Sequence, residues 1–279
     1  MTTMDRRPAA SVGGFRGGAR DGLIVMWRNL KRIPRIPELA IFAILQSIMF
    51  VVLFAYVFGG AIPIPGNPNP DAYKEFLMPG IFAQTIVFAA GTTAIGMADD
   101  IHKGIIDRFR SLPMARSAVL TGRTLSDVVY NGGILIVLLI SGVVVGWTVR
   151  TGFGELLAGI ALLLLFAFAM SWLGVYLGLN VPSVEVGQQV IFTALFPITF
   201  ISNVFVPPQT LPDILQPVAE WNPTSTLTAA LRELWGNPNP YASTGFPAEN
   251  PVLVTLLWVV VIIAIFGPLG VRRYRSMSR

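Results

Sequence analysis

A hydrophilic segment, residues 104–127, interrupts the apolar sequence and reads GIIDRFRSLPMARSAVLTGRTLSD. The chain as a whole is poor in charge, since only 13% of the 279 residues are Asp, Glu, Lys or Arg and 53% are apolar. An apolar stripe at helical spacing begins just before the segment and runs through its first part, at Ile101, Ile105, Phe109 and Leu112. Such a stripe needs a partner, which is either the protein's own helix ends or a groove on a soluble protein.

Charged side chains flank this stripe. If the stripe fills a groove on a partner, Asp107, Arg108 and Arg110 would fix its register at the rim. The candidate docking residues are Ile105, Asp107, Arg108, Phe109, Arg110, Leu112, Pro113 and Arg116. Pro113 is expected to end the short helix. The alternative is a solvated, positively charged flank of a membrane helix, in which the choice of basic residue matters little.

Composition excludes several kinds of chemistry. The chain has no Cys and a single His, His102, so disulfides, cysteine nucleophiles and histidine metal clusters are ruled out. It has no G-x-x-x-x-G-K-[ST] motif and therefore no P-loop for ATP phosphates. No carboxylate falls near the middle of an apolar stretch, which disfavours a proton-coupled carrier. We expect no catalytic residue, metal or cofactor in this chain. If ATP drives it, ATP and Mg²⁺ bind to another chain.

The mean hydropathy of +0.65 predicts an integral membrane protein. Six stretches without Asp, Glu, Lys or Arg are long enough to cross the bilayer as helices: 39–58, 77–98, 128–147, 156–179, 190–206 and 252–271. The fifth is short and contains Pro197, so a kinked span is expected there. The predicted fold is all-α and polytopic, with one membrane domain over residues 38–271.

The distribution of positive charge predicts the orientation. Seventeen Lys and Arg residues fall on one side of the predicted spans and three on the other. Basic loops stay in the cytoplasm, so both the N-terminal segment 1–37 and the tail 272–279 are expected there. The pI of about 9.9 follows from these flanks. No recognition motif accompanies the charge, so nucleic acid is not an expected partner.

Two amphipathic regions lie outside the spans. Residues at helical spacing before the first span predict an interfacial helix on the cytoplasmic leaflet, or else a simple basic flank; they are Leu23, Met26, Trp27, Leu30 and Ile33. The long external segment 207–251 contains two short apolar helices, in LPDILQPVAEW and TSTLTAALRELW. These helices either dip back into the outer membrane surface or form an external cap.

A few polar residues interrupt the predicted spans. Interhelical hydrogen bonding is the favoured explanation for them, and the candidates for the alternative, a substrate path, are Gln46, Gln84, Thr92 and Asn203. Gly174 and Gly178 have the small-xxx-small spacing that indicates close helix packing or dimerisation. The phenylalanines show no readable pattern.

Two motifs resemble a known family. GIIDRFRSLPMAR followed by GR before the third span, and ISNVFVPPQTLPDILQPVAEWNPTSTLTAALREL after the fifth, are similar to the membrane subunits of type-2 ABC exporters, particularly drug-efflux permeases of the daunorubicin-resistance type. The resemblance covers roughly residues 20 to 275. It implies that residues 99–116 form a coupling helix that docks onto a nucleotide-binding subunit, and that 212–235 form a re-entrant pair. The second internal loop, NVPSVEVGQQ, departs from the pattern because it has no basic residue.

By this resemblance the expected function is ATP-dependent efflux of hydrophobic or amphipathic small molecules across a bacterial cell membrane. Two copies of the permease would work with two copies of an ATP-binding subunit. The first alternative is export of a polysaccharide, teichoic acid or lipid by the same machinery. The second is an ATP-independent carrier or channel, whose transport would continue after ATP depletion.

Overall fold

The computed structural model describes residues 15–31, 37–58, 72–110, 116–205, 211–239 and 245–277, and these residues form helices and no strand. The helices are α1 (Phe15–Leu30), α2 (Pro37–Val52, continued by a π-helix over Leu53–Phe58), α3 (Ala72–His102), α4 (Ile105–Arg110), α5 (Arg116–Val145), α6 (Phe153–Gly178), α7 (Val184–Phe200), α8 (Gln216–Trp221), α9 (Pro223–Trp235), α10 (Phe246–Glu249) and α11 (Pro251–Ser276). The all-α prediction is confirmed for these residues.

Four helical segments are long and apolar enough to cross a membrane: Tyr73–His102, Ala118–Val145, Phe153–Gly178 and Pro251–Ser276. They belong to α3, α5, α6 and α11, and they fall on the second, third, fourth and sixth predicted spans. The first predicted span falls on α2 and its π-helical continuation.

The helix in the fifth predicted span begins and ends six residues earlier than expected, at Val184–Phe200 instead of 190–206. Glu185 was taken to lie outside the span, but it occupies the first turn of α7. A carboxylate at this position interacts favourably with the helix dipole. The hydroxyl oxygen of Ser183 accepts a hydrogen bond from the Val186 amide at 3.3 Å and caps the helix start. Charge therefore marks the beginning of this helix and not its preceding loop.

The centre of the bundle is the contact between α3 and α6. Gly174 and Gly178 lie on the face of α6 that meets α3. A Cβ at position 178 would lie 2.5 Å from the carbonyl oxygen of Ala94, and one at position 174 would lie 2.8 Å from Cβ of Thr93. The small-xxx-small spacing of these glycines is therefore used for close packing within the chain.

α1 packs against the first half of α5 through small residues. A Cβ at Gly122 would lie 2.5 Å from the Gly22 carbonyl oxygen, so the two helices cross in backbone contact. Val25 is buried in this contact. Leu23 and Trp27, which belong to the predicted apolar face, are 54% and 59% exposed on the other side of α1. An apolar exposed face is what an interfacial helix presents to lipid, and the interfacial position remains a prediction.

The two helices predicted in the external segment are present as α8 and α9, and α9 is buried within the bundle. Asn222 joins α9 to the end of α7. Its Nδ2 donates to the carbonyl oxygens of Ile198 (2.6 Å) and Ile201 (3.0 Å), while its Oδ1 accepts from the Thr224 amide (2.8 Å). One side chain therefore caps the C-terminus of α7 and the N-terminus of α9. Pro223 at the first position of α9 fits this start.

Arg232 holds α9 in place from its buried side. Its side chain is 1% exposed and donates to the carbonyl oxygens of Phe76 at 3.0 Å and Asn203 at 3.2 Å. Its guanidinium carbon also lies 3.7 Å from the centre of the Phe76 ring. Burial lowers the pKa of Arg232 to about 9. The group is still charged at neutral pH, so these acceptors and the ring face compensate a buried cation.

We predict that Gly174→Ala lowers the free energy of unfolding by about 1 to 3 kcal/mol, because its new methyl group must push α3 and α6 apart. Gly154→Ala on the same helix is the matched control. No described atom of another segment lies within 4 Å of its added Cβ, so stability should stay unchanged or rise by up to about 1 kcal/mol. Thermal unfolding in one detergent compares the two variants, and equal stability would contradict the packing described.

Candidate functional site

A cavity of about 260 Å³ lies between α2, α3, α5 and α7. One of its walls is aromatic and the other is polar, and no described residue that lines it is charged. Apolar walls with a few placed polar groups are typical of sites for small organic molecules, because the walls supply burial and the polar groups fix orientation. The cavity is therefore the candidate binding site.

The aromatic wall is a column of phenylalanines on α7. Phe192, Phe196 and Phe200 recur at every fourth residue, with neighbouring ring centres 5.0 and 4.2 Å apart. Phe50 of α2 lines the same cavity. The three rings of α7 are 38 to 55% exposed, so they offer open faces to an aromatic ligand. This four-residue repeat was not recognised from the sequence, because it has meaning only once α7 is known to face a cavity.

The polar wall is formed by Gln46, Gln84, Thr85, Thr92 and Asn131. The hydroxyl of Thr85 donates to the Ile81 carbonyl and that of Thr92 to the Ala89 carbonyl, both at 2.8 Å. Asn131 is 2% exposed, and its Nδ2 has no hydrogen-bond partner among the described residues. These groups are neutral, so the wall suits a ligand without net charge at this position.

Three of the four residues predicted for a substrate path come together here, because Gln46, Gln84 and Thr92 line the cavity. Asn203 does not. It follows the end of α7, where its backbone amide donates to the Ser225 hydroxyl oxygen at 3.0 Å. The fifth span was predicted to continue through Asn203, and the earlier end of α7 explains the difference.

A network of ion pairs lies next to the cavity on the side of α4. Arg123 donates to Asp100 at 3.0 Å and to Asp127 at 3.2 Å, and Thr93 donates to Asp127 at 2.8 Å. The side chains of Arg123, Asp100 and Asp127 are only 14, 8 and 16% exposed. A Cβ at Gly96 would collide with the guanidinium group, so glycine leaves the room that Arg123 occupies. The network joins α3 to α5.

This network and the cavity are one helical turn apart. Thr93 of the network follows Thr92 of the cavity on α3, and Asp127 precedes Asn131 by four residues on α5. Sequence analysis placed Arg123 and Asp127 in the hydrophilic segment but did not predict that they pair with Asp100. Only the folded arrangement brings Asp100 beside them.

The apolar stripe predicted across the hydrophilic segment is interrupted. α3 continues to His102, a turn follows, and α4 begins at Ile105. Gly104 has a φ of +66°, a conformation that favours glycine and ends a helix. Ile101 therefore belongs to α3, and the expectation of a single short helix that carries Ile101 and Ile105 together is wrong.

The first residues of α4 rest on the protein's own helices. Ile106 is 3% exposed and shares a buried cluster with Val119 and Leu120 of α5. Ile105 is half-buried and Arg108 is exposed. Part of the apolar surface of this segment is thus covered within the chain, which was one of the two partners considered.

The remaining docking residues cannot be placed by their side chains. Asp107, Phe109 and Arg110 lie in α4 and Arg116 begins α5, but their side chains are outside the described part of the chain. Leu112 and Pro113 lie outside the described residues. Their role in docking stays a prediction.

Comparison with known proteins identifies the family. The ABC-2 type transporter family matches residues 21–234, so the chain belongs to this family of transporter membrane subunits. It is 32% identical over 253 residues to the daunorubicin resistance ABC transporter permease protein DrrB1 of Streptomyces coeruleorubidus, covering 91% of this chain and 85% of that protein. It is also 25% identical over 234 residues to the probable doxorubicin resistance ABC transporter permease protein DrrC of Mycobacterium tuberculosis, strains CDC 1551 / Oshkosh and H37Rv, with 83 and 80% coverage.

Residues of the motifs that suggested this family have identifiable roles in the structure. In the GR pair, Gly122 permits the contact with α1 and Arg123 forms the ion-pair network. In the NPT sequence, Asn222 caps two helices at once. These residues serve the architecture of the subunit, so they identify the class and carry no information about the cargo.

We predict that Arg123→Gln lowers the free energy of unfolding by about 3 kcal/mol, because it leaves the poorly exposed Asp100 and Asp127 without their cation. Lys103→Gln is the matched control, since it breaks a pair with Asp99 whose side chains are 55 and 28% exposed. An exposed pair contributes less than about 1 kcal/mol. Thermal unfolding measures both; equal losses in the two variants would show that the network contributes no more than a surface pair.

Proposed function

We propose that this chain is the membrane-spanning permease subunit of an ATP-driven exporter of hydrophobic or amphipathic small molecules. The observation that carries the proposal is the uncharged cavity with an aromatic wall, within a chain of the ABC-2 type transporter family. The similar proteins are named for daunorubicin or doxorubicin resistance, which supports drug-like cargo. The cavity offers apolar burial together with a few hydrogen-bonding groups, as amphipathic cargo requires.

ATP and Mg²⁺ would bind to a separate subunit, because the sequence has no P-loop. α4 and the residues that follow it would form the coupling helix. Ile105, Phe109 and Leu112 would contact a groove of the ATP-binding subunit, with Asp107, Arg108, Arg110 and Arg116 at its rim and Pro113 ending the helix. Closure of the ATP-binding subunits would then push on the inner ends of α3 and α5.

The Arg123 network would carry this push to the cavity. α3 and α5 emerge from the two ends of the coupling segment. The network ties them together through Thr93, which is adjacent to Thr92 on α3, and through Asp127, which lies one turn from Asn131 on α5. A rigid tie means that neither helix moves without the other at this level. The opening of the cavity would therefore follow the position of the coupling segment.

The proposed arrangement in the membrane has six spans, with α2 and α7 added to the four long helices and both termini in the cytoplasm. The excess of Lys and Arg on one side supports this orientation. Two copies of the chain would assemble with two ATP-binding subunits in a bacterial cell membrane, and the buried α9 would be a re-entrant helix of the outer side.

We expect residue 108 to lie inside the cell and residues 67 and 240 to lie outside. The chain has no cysteine, so single cysteines at these positions can be labelled with an impermeant reagent in intact cells. Labelling of 67 and 240 without 108 is the expected result. Labelling of 108 but not of 240 would show that the predicted orientation is wrong.

We predict that Phe109→Ala, and separately Arg108→Glu, leave membrane abundance near normal while ATP-driven efflux and co-purification of the ATP-binding subunit decline. Truncating a buried interface anchor commonly costs about 2 kcal/mol or more, so partner binding should weaken more than tenfold for Phe109→Ala. Efflux, ATPase stimulation and co-purification are measured on the same membranes.

Matched controls are available for both changes. Phe153→Ala removes an exposed ring at the start of α6, and Arg272→Glu reverses an exposed charge near the C-terminus. Both should behave like the wild type. Wild-type values of efflux, ATPase stimulation and co-purification in Phe109→Ala and Arg108→Glu would refute the docking role. The segment would then be only a positively charged flank of a membrane helix. Efflux that survives ATP depletion would overturn the ATP-driven mechanism.

A further inference from the structure

The groups of the polar wall differ in how far their hydrogen-bonding capacity is used within the chain. Thr85 and Thr92 donate their hydroxyl protons to carbonyl groups of their own helix, so only oxygen lone pairs remain for a ligand. Asn131 differs from them. Its amide nitrogen is buried and has no acceptor among the described residues, although an amide carries two protons to donate.

A buried donor without an acceptor costs free energy, because the group loses its water and gains nothing in exchange. Such a group in a protein calls for an explanation, and an absent ligand at a cavity is one. Asn131 is 2% exposed and lines the cavity whose opposite wall is the Phe192, Phe196 and Phe200 column. An acceptor and a stacking surface are thus required in the same ligand.

We propose that Asn131 is a specificity-determining residue of this cavity, whose Nδ2 donates a hydrogen bond to a carbonyl oxygen of a neutral, planar aromatic ligand that stacks against the α7 phenylalanines. The inference rests on the proposed function, and it deepens that function by assigning the contact that selects cargo. A carbonyl is the fitting acceptor because it needs no proton of its own, while ligand hydroxyls can donate to the free lone pairs of Thr85 and Thr92.

The uncharged state of the ligand follows from the lining. The described lining residues include no Asp, Glu, Lys or Arg, and a charged group placed there would have to lose its water without a compensating partner. Asp127, which lies one turn from Asn131 on α5, is already paired with Arg123. The cavity therefore favours a neutral ring system, with any charged substituent lying outside it.

The experiment measures binding of two probes that share one ring skeleton, 2-(hydroxymethyl)anthraquinone and 2-(hydroxymethyl)anthracene. Only the quinone has ring carbonyls. The full chain is placed in lipid nanodiscs, and dissociation constants are measured by fluorescence for the wild type and for Asn131→Leu, which keeps the branching at Cγ and removes the donor. We expect the quinone to bind about five- to tenfold more weakly to Asn131→Leu, with the anthracene unchanged, because one hydrogen bond is lost.

Two further variants separate the contributions of the walls. Phe196→Leu should weaken both probes by a similar factor, since stacking does not depend on the carbonyl. Ser141→Ala, on the same helix as Asn131 but with its hydroxyl bonded to the Val137 carbonyl, should change neither. Should Asn131→Leu fail to reach the membrane, the smaller Asn131→Val also removes the donor without adding a charge, and it is read by the same ratio of dissociation constants.

The proposal is overturned if the ratio of the two dissociation constants is unchanged in the Asn131 variants. If both probes lose affinity by the same factor, the role of Asn131 is structural. Binding is measured without ATP or the partner subunit, so its outcome is separate from that of ATP-driven efflux. A ratio of dissociation constants that does not depend on Asn131, with ATP-driven efflux intact, would refute this inference alone. Selective binding without any ATP-driven efflux would refute the proposed function alone.

Discussion

The paired charges of Arg123 hold together the part of the bundle on which the proposed mechanism depends. Its guanidinium joins Asp100 of α3 to Asp127 of α5, at a place where a cation without partners would be costly to bury. The glycine at position 96 leaves room for this pairing, because a Cβ there would displace the guanidinium from its observed position. The cavity lies on one side of the network and the start of the hydrophilic segment lies on the other. The same two helices, α3 and α5, therefore connect both to the network.

The opposite end of the bundle is held by aromatic packing and by hydrogen bonds, which include those of the buried Arg232. The rings of Phe82, Trp147 and Trp235 meet edge to face, with centres 5.2 to 5.6 Å apart. Asn237 accepts from the Trp147 indole and donates to the Thr148 carbonyl, both at 3.0 Å. Together with Asn222, these contacts attach α9 to α3, to the segment that follows α5 and to α7. α7, which carries the aromatic wall, is therefore restrained at its C-terminal end by the Asn222 cap.

The sequence was sufficient where a property depends on composition or local spacing. Apolar stretches between charges predicted the helices that carry the long candidate spans, and Gln46, Gln84 and Thr92 were selected as polar exceptions. It was insufficient where the property depends on distant contacts. The use of charge as a boundary misplaced α7, because Glu185 stabilises a helix start. The Asp100 pairing and the shared cavity of Asn131 with the α7 phenylalanines require helices that are distant in the chain to meet.

In the proposed mechanism, the position of the hydrophilic segment sets the opening of the cavity through Arg123. A single cysteine at Thr92, an exposed residue of the cavity, can report this in a chain without other cysteines. Its rate of maleimide labelling is measured in the complex with the ATP-binding subunit, with and without a non-hydrolysable ATP analogue. The account predicts that the nucleotide changes the rate and that Arg123→Gln, in folded protein, abolishes the change. A nucleotide-dependent change that persists unaltered in Arg123→Gln would contradict it.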